Sequence, residues 1–213
     1  MKSQVLILPI LIGGLVFTKG AAVAPEQEFW KWFQAHEAML FDLEKNREAV
    51  FDQLAAEMHK VNPDLTFEFG PRDQNCREFI ISADGIKEAF PKVEALFAAA
   101  PSLPRWKFIK FRPRRKPFDI SYAGITVKAK SVLVRLSRAG QKANVTVYLP
   151  DYKQNADDKY MTITFLLLDQ ALGEYDVEMY VGKIDIKSLS DAPKDACSLS
   201  ALPKAFDNAL SKQ

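Results

Sequence analysis

The sequence predicts an α+β fold: an antiparallel sheet with helices packed mainly on one face. Three observations carry this. Apolar residues recur at helical spacing before residue 62, short alternating or β-branched runs follow, and a hairpin–helix–strand order occurs twice.

Taken in order, Pro25-Glu26-Gln27-Glu28 starts a helix, because proline suits the first turn and early acids favour its positive end. Phe29, Trp32, Phe33, His36, Leu40 and Leu43 form one face of it, with Trp30 and Phe41 beside them. That stripe reads as core, and His36 as a packed histidine rather than a ligand. A second helix is expected over 45–61, with Val50, Leu54, Met58 and Val61 inward, and Asn62-Pro63 stops it. Leu65 to Phe69 and Arg77 to Ser82 read as a hairpin that turns at Gly70-Pro71, with Arg72 to Asn75 as loop. Asp84 is placed to cap the next helix, whose face is Ile86, Phe90, Val93, Phe97 and Ala100. Pro91 inside that pattern predicts a kink or a restart. Trp106 to Phe111 is again strand-like.

Phe118–Tyr122 with Ile125–Val127, and Val132–Leu136 with Val145–Leu149, read as antiparallel strand pairs around glycine turns. For 160–172 two readings compete. β-Branched Thr162-Ile163-Thr164 favours strand, whereas Met161, Phe165, Leu168 and Leu172 share a helix face and Gly173 suits a helix stop. Helix is the expectation. Val177 to Ile186 then closes as a strand, and Leu202, Phe206 and Leu210 mark a last amphipathic helix. Two helices, hairpin–helix–strand, extra strands and hairpin–helix–strand suggest a degenerate internal duplication.

The first residues read as a leader. Met1-Lys2 precedes a 13-residue apolar run, Val5 to Phe17, and Ala22-Val23-Ala24 fits a small-x-small site, so cleavage is expected after Ala24. The run is short of the roughly 20 residues of a spanning helix. The expected organisation is a signal peptide at 1–24, one α+β domain at 25–187, and a tail with a short helix at 188–213. Export to the periplasm or medium follows, with no membrane contact after cleavage. Losing Lys2 and Lys19 takes the basic side chains from 29 to 27, equal to the 27 acids. A neutral mature chain gives no global attraction to nucleic acid. Export also permits a disulfide between Cys76 and Cys197, and the bond is the expectation, although the two thiols need not meet in space.

FEFGP, REFIISADGIKEAFP, FRPRR and LLLDQALGEYDV resemble motifs of a bacterial protein family with no known activity. The resemblance spans most of Phe29 to Ile186 and implies no catalytic residue. Members often begin near the Trp30 helix without an exported leader, and the leader here departs from that.

No recognisable active-site motif is present. There is no GxSxG elbow, phosphate-cradling glycine loop or HExxH helix, and two cysteines with two distant histidines do not make a zinc site. No cofactor is expected. The outstanding feature is the basic edge at Arg112, Arg114, Arg115 and Lys116, with Trp106 nearby and Pro113 and Pro117 stiffening it. Guanidinium groups pair with carboxylate or phosphate, so the leading expectation is a non-enzymatic binding module for an anionic protein partner or envelope component. The plain alternative is a solvated strand end whose charges deter edge pairing. An envelope-polymer hydrolase using Asp169, Glu174 or Asp176 is a further alternative. An inhibitor or immunity-type protein is another.

Overall fold

The computed structural model describes residues 23–73 and 75–211. Residues 1–22 of the expected leader lie outside them, and no described helix is long and apolar enough to cross a membrane. The first described element is α1 (Pro25–Ala35), with Pro25 in its first turn as expected. The expected single helix is broken at His36, whose Nδ1 lies 2.8 Å from the Trp32 carbonyl and whose ring stacks on Trp32. A short α2 (Glu37–Phe41) follows, then one 3-10 turn and α3 (Arg47–His59). Val50, Leu54, Met58 and Val61 are all buried, as their spacing predicts.

The first hairpin differs from its expected form. β1 (Thr66–Asp73) runs straight through Gly70-Pro71, and the turn falls between Asp73 and β2 (Cys76–Ser82). A bulge between Phe69 and Arg72 absorbs the proline, which cannot donate to the ladder. Gly70 allows this, since a β-carbon there would lie 2.8 Å from the Glu78 Cβ. Ile86 is exposed, so the next helical face starts later than its spacing suggests. A 3-10 turn (Lys87–Ala89) restarts as α4 (Phe90–Ala98), with Pro91 in the first turn where its missing N–H is harmless. β3 (Trp106–Lys110) returns parallel to β2, giving a sheet of order β1-β2-β3.

β4 (Ile120–Tyr122) and β5 (Ile125–Val127) form a small hairpin over Ala123-Gly124, both at positive φ. β6 (Leu133–Ala139) and β7 (Lys142–Leu149) pair antiparallel across Gly140. The helical reading of 160–172 is correct: α5 covers Asp157–Leu172. Its buried face is Tyr160, Ile163, Leu167 and Ala171 with Leu168 and Leu172, while Phe165 of the expected stripe is exposed. Residues 177–180 are helical, not strand: α6 (Glu174–Tyr180) precedes β8 (Val181–Ser188), which lies parallel to β7. β9 (Cys197–Ser198) pairs with β6, and α7 (Leu202–Ser211) buries Leu202 and Phe206, so the carboxy-terminal stretch joins the second core.

The repeated order is therefore real as topology. β1-β2-α4-β3 and β6-β7-α5-α6-β8 are each an antiparallel hairpin, a helical crossover, and a third strand parallel to the second. The two units keep separate sheets rather than one continuous sheet. Each has its own apolar cluster, one around Phe79 under α1–α4 and one around Val147 under α5 and α7. α6 joins them: Tyr175 and Met179 pack on the first cluster, Val177 on the second.

Phe79 is fully buried, and its ring lies within 6.5 Å of those of Phe29, Trp30, Phe33, Phe67, Phe69, Trp106 and Phe108. Phe79→Ala is expected to lower stability by ~3–5 kcal/mol in urea unfolding, because so many rings cannot collapse into the cavity. A loss below about 1 kcal/mol would show that this cluster is loosely packed.

Candidate functional site

The two units meet where Gly173 separates α5 from α6. Gly173 has φ +81, and a β-carbon there would sit 3.0 Å from the Arg112 carbonyl, so only glycine fits. The next residue, Glu174, is fully buried. Its Oε1 accepts the backbone N–H of Ala83 at 2.9 Å and of Gly85 at 3.2 Å, and its Oε2 accepts that of Arg112 at 3.0 Å. Positive φ at Asp84 and Gly85 turns two of those donors onto one oxygen. Asp84 is thus not the expected helix cap, and its carboxylate instead accepts Arg112 Nη1 at 2.7 Å.

The basic edge lies against this junction. The Arg115 N–H donates to the Gln170 carbonyl at 2.6 Å and the Phe118 N–H to the Gln170 side chain at 2.8 Å. Arg114 Nε caps α5 through the Leu172 carbonyl at 3.0 Å, which complements the negative end of the helix. Every arginine of the edge has carboxylates. Arg112 pairs with Glu68 at 2.5 Å and Asp84, Arg114 with Asp176 at 2.6 Å and Asp207 at 2.8 Å, and Arg115 with Glu78 at 2.6 Å. Burial opposes the charge of Arg112, yet the Asp84 hydrogen bond and nearby acids still raise its pKa. The hydrogen bond to Asp207 is the main reason that of Arg114 rises as well. Lys116 is exposed and makes no ion pair among the described residues.

A depression of about 470 Å³ lies beside this edge, walled by Tyr175, Lys110, Arg112 and Arg114. Lys110 is matched by Glu94 at 3.1 Å, so each cation lining it has an acid partner. An anion entering there must displace those acids. Trp106 is elsewhere: it is buried among the rings of the first core and donates Nε1 to Glu37 at 3.2 Å.

The acids of the hydrolase alternative are separated by role. Glu174 is consumed by backbone donors and Asp176 by Arg114. Asp169 lines a cleft of about 240 Å³ with Phe118, Ile120, Leu166, Asp84 and Arg112. Burial pushes its pKa up to about 7, against the pull of Arg112 3.9 Å away, with Glu174, Glu178 and Asp84 adding to the rise. No second carboxylate of the three is left to act with it. No group of three or more His, Cys, Asp or Glu among the described residues could hold a metal ion.

The expected disulfide is not formed. Cys76 begins β2 in the first sheet and Cys197 lies in β9 of the other, and both are free. Burial pushes the Cys197 thiol up, which lowers its thiolate fraction.

A second arginine group, missed in the sequence, surrounds Phe41 at the end of α2. The guanidinium carbon of Arg105 is 3.5 Å from the ring centroid, that of Arg72 4.4 Å and that of Arg77 5.8 Å. Arg72 and Arg77 are direct partners in the β1–β2 ladder, a like-charge pairing that costs stability. Nearby acids answer it incompletely. Asp42 is 3.6 Å from Arg72 and is shared with Lys45, Glu44 pairs with Arg77, and Arg105 makes no ion pair among the described residues. Arg72 and Arg77 are five residues apart and Arg105 is 28 residues further on, so no basic run announces them. Reading β1 through Gly70-Pro71 would have set Arg72 opposite Arg77.

Two measurements probe the junction. Glu174→Ala strands three backbone donors and is expected to lower stability by on the order of 4 kcal/mol, with Glu174→Gln losing less. A neutral outcome for Glu174→Ala in urea unfolding would show that water satisfies those donors. Asp169 keeps its proton in the folded protein up to about pH 7, whereas the unfolded chain loses it near the ordinary value of 3.8. Its contribution is therefore complete below that value and lost as pH rises through about 7. Asp169→Asn is expected to lie within about 1 kcal/mol of the wild type near pH 4 and to exceed it at pH 8 by ~4 kcal/mol. Equal stabilities at pH 8 would refute the buried proton. The chain itself matches no family model, no curated protein and no solved structure.

Proposed function

We propose that the protein is a non-enzymatic binding module, acting after export, that takes an anionic group at Arg72, Arg77 and Arg105 on the Phe41 ring. The observation that supports this is the excess of guanidinium over carboxylate around one buried ring. Cation–ring contacts of this kind are worth ~0.5–2 kcal/mol each, which holds the arginines in place without neutralising them. The fork of each guanidinium suits a carboxylate or phosphate from a partner protein or envelope component. The run at Arg112–Lys116 serves a different end in this reading. Its arginines bind internal acids and fasten the two units together.

Inorganic phosphate titrated into the purified protein provides the test, followed by NMR of arginine side chains. Saturable shifts are expected at Arg105 and Arg72. Arg105→Ala is expected to weaken binding by about tenfold, the worth of one charge-assisted hydrogen bond, and Lys116→Ala to leave it unchanged. Added salt should weaken the wild-type interaction. Shifts that persist in the Arg72→Ala, Arg105→Ala double variant would overturn the assignment.

A further inference from the structure

We propose that the cavity beside Arg77 receives an aromatic carboxylate, and that the Glu44 carboxylate occupies the position of its acid group until it arrives. This deepens the binding function proposed above and rests on it, because Arg77 belongs to both.

Arg77 is 4% exposed, and only Nη2 is engaged, by Glu44. Its Nε and Nη1 are buried without a hydrogen-bond partner among the described residues. A buried cation with two unengaged donor nitrogens is an uncompensated cost, which acceptors supplied by a ligand would remove. The guanidinium itself is held, with the rings of Phe41 and Phe69 each 5.8 Å away. Glu44 is the opposite case. Its side chain is 62% exposed and sits on a single 3-10 turn, so it can move into water at little cost.

The cavity next to this pair measures about 400 Å³, within the range of small-molecule sites. Phe51, Phe67 and Phe69 wall it, and all three are half-buried. Their rings touch one another, with centroids 5.3 to 5.7 Å apart. Such a wall has an apolar surface suited to one more flat ring. Arg47 stands at the rim, its guanidinium 5.2 Å from the Phe51 ring, and makes no ion pair among the described residues. A ligand with a carboxylate on an aromatic body matches these parts together. Its oxygens replace those of Glu44 on Nη2 and reach a second donor of the fork, its ring lies on the phenylalanines, and Arg47 closes over it.

Benzoate and acetate carry the same charge and differ in the ring, so calorimetric titration of both into the purified protein isolates the ring's part. Benzoate is expected to bind at least about tenfold more tightly than acetate. Glu44→Gln removes the internal competitor at an exposed position and is expected to raise benzoate affinity severalfold. Phe51→Ala is expected to abolish the preference for benzoate while leaving inorganic phosphate binding intact. Benzoate no tighter than acetate, or unchanged affinity in Glu44→Gln, would overturn the aromatic carboxylate while phosphate binding that depends on Arg105 left the broader reading standing. Phenyl phosphate displacing benzoate at lower concentration would reassign the acid group. Loss of phosphate binding and benzoate binding alike in the wild type would instead remove the broader reading.

Discussion

A single buried carboxylate determines how the two halves of this protein meet. Glu174 is fully enclosed, and its oxygens are met by three backbone N–H groups from two loops of the first unit. Burying a carboxylate is costly unless its hydrogen bonds are made. The demand for those donors therefore orients the end of β2 and the exit of β3 toward α6. Local geometry yields to it: Asp84, Gly85, Phe111 and Gly173 all take positive φ around this point. For Phe111 that conformation is unfavourable, and it is held by the ring's packing on Phe90 and Tyr175.

The basic run follows from the same junction. The carbonyl end of α5 faces it, and Arg114 caps that end. Asp169 and Asp176 flank Gly173, and two arginines beside them lessen the cost of acids at a helix carboxy terminus. Segment 112–118 acts as a strap, fastened by backbone bonds to Gln170 and by ion pairs to both units. The three arginines of the run are met by acids contributed by five other segments.

At the far end of the first hairpin the balance is different. Three guanidinium groups meet on Phe41 with too few acids to neutralise them, and two of them oppose each other across the ladder. Packing alone gives no reason to place arginines there, since an apolar residue at 77 would avoid the unmade hydrogen bonds. One basic cluster is thus internally answered and the other is not, although the first is the conspicuous one in the chain.

Much of the architecture was legible because it depends on local periodicity. Val50, Leu54 and Met58 declare a buried helical face by spacing alone, Pro91 declares a restart, and Ala123-Gly124 declares a tight hairpin. The repeated hairpin–helix–strand order was visible for the same reason. The misread elements were those where a distant partner outweighs local preference. Val177 to Tyr180 looks like strand, but Glu174 needs a helical start to reach its three donors. Gly70-Pro71 looks like a turn, but pairing with β2 carries the strand through as a bulge. Local spacing was enough to set the order and type of most elements, because hydrophobic periodicity and backbone stereochemistry act over a few residues. Which charges meet was left to the folded arrangement. Ion pairing depends on distance in space, and nothing within a run such as FRPRR states that its acids lie at positions 68, 78, 84, 176 and 207.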